Sequence, residues 1–279
     1  MDKEYLATAQ REVQQWESEG PGFLMPLTDI VFLPAASMVK VLIPTRVQRA
    51  AGNAVYEVLL GLNSASQLLC DQESIQQRVD AAYCKCGDEL RAADSTARYY
   101  RKWHTAYAAG EGSATGAVGL PGLAADIPAL ITISLRLIRQ VGTCYGYDMN
   151  SDPENEHALH VLRIGSASTL KAKMEFLVAL KEIQGTLVRL SLGAIGESLA
   201  RKEIGRLSLL TAIRQFAERI GVQLTTRKAL ALVPVVGAII GGSFNALFVS
   251  GVGRTAYMAY RRRRIAELQG PGTATRDPP

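Results

Sequence analysis

Apolar residues recur at helical spacing along most of the chain. Leu6, Val13 and Trp16 share one face of an N-terminal segment that ends near residues 20–22, which predicts a short amphipathic helix. Further faces of this kind each predict a helix. They comprise Val55, Leu59, Leu62, Ser66 and Leu69; Leu90, Ala93, Ala97, Tyr100, His104 and Tyr107; Leu170, Met174, Leu177, Leu180, Ile183, Leu187 and Leu190; and Leu210, Ile213, Phe216 and Ile220. No useful length of sequence alternates with a period of two, so the pattern predicts an all-α, multi-helix bundle.

Two helices carry recognisable start signals. Asp126 precedes an apolar run from about Ile127 to Val141, and Pro128 would lie in its first turn, where the missing N–H is harmless. We therefore expect Asp126 to be an N-cap, and a helix of this length, roughly 22 Å, is short of the roughly 30 Å apolar core of a bilayer. Ser151 and Pro153 predict a second helix start by the same rule.

The longest uncharged segment runs from Ala229 to Gly253. As a single helix it would be roughly 37 Å long, which is enough to cross a bilayer. Pro234 and Asn245 interrupt it, and small residues recur every four positions within it, at Ala238, Gly242, Ala246 and Ser250. That spacing favours close contact with another helix, for which the helix near residues 127–141 is the expected neighbour. Buried core or hairpin, reversible membrane insertion and a permanent span stay open as alternatives.

Charge changes this picture at one place. The chain of 279 residues has a formal net charge of +5, and much of the excess is the run Arg261, Arg262, Arg263 and Arg264. A basic run beside an apolar segment indicates a surface facing anionic lipid rather than nucleic acid, and a solvated helix end is the alternative. The N-terminus lacks an apolar signal region, and free thiols suit a reducing compartment. We therefore expect a cytoplasmic protein, peripheral to the inner face of the membrane.

Candidate metal ligands do not complete a site. Cys84 and Cys86 are too closely spaced for a zinc knuckle, and no second pair completes a tetrahedral set. His157 and His160 share a helix face without the H-E-x-x-H order, so helix surface is the expectation for both. His104 lies on an apolar helix face and is predicted to be a core histidine. We expect no metal and no cofactor.

Two stretches resemble the EcsC family of bacterial proteins: ATGAVGLPGLAADIPALITISLRLIRQVGTCYGYD in mid-chain and LVPVVGAIIGGSFNALFVSGVGRTAYMAYRRR near the end. The segment IPTRVQRA resembles the start of the family, so the likeness covers about residues 40–265. The family is named for a protein encoded beside components of an ABC transporter linked to secretion, and it has no established activity and no agreed catalytic residues. The motif positions that carry over are Thr115, Gly116, Gly119, Gly122, Asp126, Pro128, Tyr145, Gly146, Asp148, Pro234, Gly237, Gly241 and Asn245.

The patterns and the resemblance together predict three parts: an N-terminal amphipathic helix over residues 1–22, a single helical domain over 23–268 with Gly/Ala-rich apolar central helices, and a disordered tail over 269–279. The expected function is that of a membrane-associated accessory or interaction protein, linked to a transporter or to secretion. Its partner would be a membrane surface or a membrane protein, self-association stays open, and no nucleic acid is expected.

Two other functions stay open at this point. One is a hydrolase-like enzyme that uses Asp126, Asp148, His104 and Asn245 in an apolar pocket. The other is a helical pore-forming or toxin-like protein that hides an apolar hairpin. The sequence leans against an enzyme, because no nucleophile with a base and no phosphate-binding loop is recognisable.

Overall fold

The computed structural model describes residues 2–19, 45–60, 71–115, 120–167, 214–218, 220–222, 224–225 and 244–269. Seven helices contain most of these residues: α1 (Lys3–Ser18), α2 (Thr45–Leu60), α3 (Gln72–Cys86), α4 (Glu89–Thr115), α5 (Leu120–Cys144), α6 (Asp152–Gly165) and α7 (Phe244–Gln269). The short stretches within 214–225 are helical as well. These described ranges contain no β-strand, so the predicted all-α multi-helix bundle is confirmed.

Helices α5 and α7 form the centre of the bundle. α5 packs against α2, α3, α4, α6 and α7, while α7 packs against α1, α4, α5 and α6. The predicted contact between the C-terminal segment and the helix near residues 127–141 is therefore confirmed for residues 244–253. Residues 229–243, with Pro234, Gly237 and Gly241, lie outside the described residues. None of the helices that the structure describes combines the length and hydropathy that a bilayer span requires.

Helix α5 begins earlier than its local signals predict. It starts at Leu120, so Asp126 and Pro128 both lie inside the helix, and the expectation that Asp126 is an N-cap is wrong. Asp126 is buried and accepts a hydrogen bond from Asn245 of α7, so a tertiary contact replaces the capping role. Pro128 has no N–H to donate to the preceding turn, yet the helix continues through it because packing on several neighbouring helices outweighs one lost bond.

Other helix ends follow the sequence closely. Asp2 caps α1 by accepting from the backbone N–H groups of Glu4 and Tyr5. α6 starts directly after Ser151, as predicted, although the Ser151 side chain makes no capping bond. Along α1, Leu6, Ala9, Val13 and Trp16 are buried, which confirms the predicted amphipathic face. The division of the chain into three parts stays a prediction.

Small residues allow the central helices to approach closely. A Cβ atom added to Gly165 of α6 would lie 2.8 Å from Cα of Val252 on α7, and one added to Gly253 would lie 2.8 Å from a side-chain carbon of Leu137 on α5. Contacts to backbone atoms cannot relax by a rotamer change. Gly251, the neighbour of Val252 in α7, would bring an added Cβ within 4 Å of only the carbonyl oxygen of Gly165, at 3.9 Å.

We expect the substitution Gly165→Ala to lower the free energy of unfolding by about 1–3 kcal/mol, because the new methyl group clashes with the backbone of α7. Gly251→Ala is the matched control, since it has room for a methyl group and gains up to about 1 kcal/mol of helix propensity. Urea denaturation of both variants measures the difference. Equal stability of the two variants would contradict the close α6–α7 contact.

Candidate functional site

A buried ion pair lies where α1, α4, α5 and α7 meet. The carboxylate of Asp94 on α4 and the guanidinium of Arg261 on α7 are 2.8 Å apart, and their side chains are 0% and 1% exposed. Two tyrosine hydroxyls donate to the same carboxylate at 2.6 Å, that of Tyr5 from α1 and that of Tyr145 from the end of α5. Asp94 therefore ties four helices together through one charged group.

The surroundings keep the two tyrosines as hydrogen-bond donors. Burial raises the pKa of the Tyr145 hydroxyl well above its ordinary value, and the charge of Asp94 raises it further. The pKa of Tyr5 is raised by the same two causes in the same order. Burial lowers the pKa of Arg261, but Asp94, Tyr257 and the hydrogen bond to Glu12 together outweigh it, and the net shift is upward. Arg261 is therefore charged, and both tyrosines are neutral, at physiological pH.

The arginine run is paired within the chain, and this corrects the expectation that it faces lipid. Arg261 is buried between Asp94 and Glu12 of α1. The other three arginines bind carboxylates on α1, α6 and α4, and the pairs are Arg262–Glu17 at 2.7 Å, Arg263–Glu154 at 2.6 Å and Arg264–Glu89 at 2.8 Å. The run lies on a helix that packs against four others, so its charges meet neighbouring helices.

Two motif residues that are 119 positions apart meet inside the bundle. The side-chain amide of Asn245 donates to the carboxylate of Asp126 at 3.3 Å, and both residues are buried. This contact joins the two stretches of sequence that carry the family resemblance. Thr115 ends α4 and Gly122 lies in α5. Gly116 and Gly119 lie outside the described residues.

The motif Tyr145-Gly146-Tyr147-Asp148 forms the turn after α5. Gly146 has φ +86°, in the left-handed region that favours glycine. Asp148 is exposed and accepts from the backbone N–H of Asn150 at 3.1 Å, as turn aspartates do. Tyr147 turns back to α7, where its hydroxyl donates to Glu267 at 3.1 Å. The turn thus aims Tyr145 at Asp94 and Tyr147 at α7.

His104 is a core residue, as predicted. Its ring nitrogen Nε2 lies 2.6 Å from the side-chain oxygen of Gln140 on α5, and both side chains are buried. Burial lowers the pKa of His104, and the Gln140 hydrogen bond opposes that shift. The residues proposed for a hydrolase thus make separate hydrogen bonds and do not form one site. His104 bonds to Gln140, Asp148 accepts from the backbone of Asn150 within the turn, and Asp126 accepts from Asn245.

His157 is buried, so the expectation that it lies on the helix surface is wrong. It is 0% exposed, its ring lies against Tyr260 of α7 with 5.0 Å between ring centroids, and neither ring nitrogen has a hydrogen-bond partner among the described residues. Burial, and then the charge of Arg263, lower the pKa of His157 to about 3. The pKa of the partly buried His160 is lowered to about 4, mainly by burial. Across the described ranges, no three His, Cys, Asp or Glu residues are arranged to hold a metal ion.

A stripe of aromatic side chains faces outward on α4, and it includes Tyr107, for which the helical pattern predicts a buried position. The stripe consists of Tyr99, Trp103 and Tyr107, which are 45%, 50% and 51% exposed. The rings of Trp103 and Tyr107 stack with centroids 5.5 Å apart, and Arg78 of α3 lies over the Tyr99 ring at 4.2 Å. Their spacing of four residues is the sequence signal that indicates a shared face.

The central position of Asp94 is not among the features predicted from the sequence. The available signal is that Leu90, Asp94, Ala97 and His104 step along one helix stripe by four, three and seven. A charged residue in line with buried positions indicates a buried partner of opposite charge.

These features define the class: an all-helical protein with an ion-paired polar interior around two central helices and an aromatic outer face. The model of the EcsC protein family matches residues 7–265, and the chain belongs to this family. The expectation from the motif resemblance is thereby confirmed.

Two relatives come from Bacillus subtilis (strain 168). The uncharacterized protein YdbA is 24% identical over 276 residues, which cover 95% of this chain and 94% of the relative. Protein EcsC is 24% identical over 196 residues, which cover 70% of this chain and 72% of the relative. No solved structure matches the chain.

We expect Asp94→Asn to lower the free energy of unfolding by about 3 kcal/mol or more, because it leaves the buried Arg261 without its buried charge partner. Urea denaturation monitored by circular dichroism gives the value. Glu218→Gln is the control, because it removes a helix-surface pair with Arg214 in which both side chains are 60% exposed, and such pairs contribute roughly 0–1 kcal/mol. A loss at Asp94 as small as that at Glu218 would contradict the role of the buried pair.

The buried His157 predicts a loss of stability in mild acid. The unfolded chain takes up a proton near the ordinary histidine pKa of 6.5, whereas the folded protein resists protonation down to about pH 3. The contribution of the neutral His157 to the free energy of unfolding is therefore present in full well above pH 6.5. It decreases as the pH drops below that value, by about 2 kcal/mol between pH 7 and pH 5. His157→Phe should lose correspondingly less over the same interval, as measured by urea denaturation at both pH values. Identical losses in both proteins would exclude His157 as the cause.

Proposed function

We propose that this chain is an accessory protein without catalytic activity that binds a membrane surface through the aromatic stripe of Tyr99, Trp103 and Tyr107. The stripe is the observation that carries the proposal. Tyrosine and tryptophan have an apolar ring and a polar group, and they concentrate at the boundary between lipid tails and water. In this protein three of them share one exposed helix face.

The charges beside the stripe support the same partner. Lys102 is exposed on α4, directly before Trp103 in the chain, and Arg136 is exposed on α5. Cations next to interfacial aromatic rings are attracted to the phosphate groups of anionic lipids, by about 1 kcal/mol for each Lys or Arg near the surface. Single exposed apolar residues are common on proteins, but a row of large aromatic rings marks an interaction surface.

The interior supports an accessory role over the hydrolase alternative. Each polar residue that was a catalytic candidate has a contact that explains its position in the fold, in the turn after α5 or between helices. The pore-forming alternative depends on residues 229–243, which lie outside the described residues. The cytoplasmic location and the link to a transporter or to secretion belong to this proposal, and the latter comes from what membership in the family implies.

Trp103 supplies its own test, because the chain has only two tryptophans and the other, Trp16, is buried in the α1 contact. In a Trp16→Phe background, the fluorescence of Trp103 should shift to shorter wavelength when vesicles of phosphatidylcholine and phosphatidylglycerol are added. Brominated lipids should quench it, because the ring would lie at the depth of the upper acyl chains.

The double variant Trp103→Ala/Tyr107→Ala should bind these vesicles about tenfold more weakly in co-sedimentation, because it loses two aromatic rings that the bilayer would partly bury. Tyr83→Ala is the matched control, since Tyr83 is 40% exposed but lies on α3. If Trp103 emission stays unchanged with both anionic and neutral vesicles, the membrane proposal is wrong.

A further inference from the structure

The outer side of α1 is held by charge. We use the name α1 seat for the surface of α4 and α7 that α1 covers. Acidic groups of α1 and its flanking residues bind four arginines of the seat, which lie on both helices. The pairs are Asp2–Arg91 at 2.7 Å, Glu12–Arg261, Glu17–Arg262 at 2.7 Å and Glu19–Arg254 at 2.7 Å. The seat is therefore basic, and its present occupant is acidic.

The inner side of α1 is held by apolar contact. Leu6, Ala9, Val13 and Trp16 are buried, and they step along the helix by three, four and three residues. An amphipathic helix that lays such anchors into a groove is a recurring mode of peptide recognition. The α1 seat thus has the two features of a helix-binding groove, which are apolar contacts along its middle and matching charges along its edge.

The seat keeps its buried charges paired if α1 leaves. Asp94 loses the hydroxyl of Tyr5 but retains Arg261 at 2.8 Å and Tyr145 at 2.6 Å. The acidic partners on α1 are partly exposed, with Glu12 at 48%, so water already reaches these carboxylates while α1 is in place. Residues 19–44 join α1 to α2, and a chain of that length reaches up to roughly 85 Å when extended. Exchange of α1 for another helix therefore leaves no bare charge in the core.

We propose that the α1 seat is a binding groove for an acidic amphipathic helix of a partner protein, and that α1 is the internal competitor for this groove. The partner helix carries apolar side chains with the spacing of Leu6, Ala9, Val13 and Trp16, and carboxylates that reach the arginines of α7. A lipid headgroup matches the charges but not the apolar groove, so the seat selects a helix. The inference is independent of the aromatic stripe, because it involves another surface and needs no membrane.

The test uses full-length protein and a fluorescein-labelled synthetic peptide with the sequence of residues 2–19, in solution without lipid. The first receptor is the variant Glu12→Gln/Glu17→Gln/Glu19→Gln, in which α1 is retained but the three carboxylates that bind arginines of α7 are removed. Fluorescence anisotropy should show that this variant binds the peptide about tenfold more tightly than the wild type does, because its own helix competes less well. Added salt should weaken the complex.

Two receptor changes locate the groove. Adding Arg254→Gln and Arg262→Gln to the variant should weaken peptide binding several-fold. Arg264→Gln is the matched control and should leave binding unchanged, because Arg264 belongs to the same run but pairs with Glu89 and Glu267 instead of α1. Circular dichroism shows whether each receptor is folded.

Three results would overturn the inference. The first is no saturable binding of the peptide by a folded receptor. The second is equal binding of a peptide in which the same three glutamates are glutamine, since the acidic edge then plays no part. The third is a dimer of the receptor that the peptide dissociates, because the occupant of the seat would then be a second copy of this chain.

Discussion

A single buried carboxylate organises this protein. Asp94 has no contact with water, so its charge is compatible with the folded state only if protein groups replace the lost hydration. Arg261 and two tyrosine hydroxyls do so, and each comes from a different helix. Because a buried ion pair contributes specificity more reliably than net stability, we interpret this cluster as the device that fixes the relative register of α1, α4, α5 and α7.

The arginine run on α7 extends that arrangement outward. Its first member is buried against Asp94, and the following ones bind α1, α6 and α4 in turn. The arginines of the central helix α7 thus form ion pairs with acidic residues of the surrounding helices. In sequence, the arginine run indicates an anionic partner. In the folded state these arginines form ion pairs within the chain.

Within the described residues, the two surfaces proposed for interaction differ in chemistry. The stripe on α4 is aromatic and open to solvent, which suits the boundary of a lipid bilayer. The α1 seat is basic, grooved and already filled by a helix. An accessory protein that carries both can hold a membrane with one face and respond to a partner with the other.

The sequence by itself determined the helical class, the amphipathic face of α1, the start of α6 and the contact of the C-terminal segment with the helix that contains residues 127–141. These features depend on apolar spacing and on small residues, which are local properties. The motif resemblance also determined the family, although it did not show that Asp126 and Asn245 touch.

Only the tertiary structure decided where the polar residues go. Helical periodicity shows which side chains share a face, but it does not show what that face meets. Asp94 and Arg261 are 167 positions apart, and the same arginine run would look identical in sequence whether it faced lipid phosphate or carboxylates of its own chain. His157 was expected at the surface and Tyr107 in the core for the same reason, since neighbouring helices decide which face of an amphipathic helix is covered.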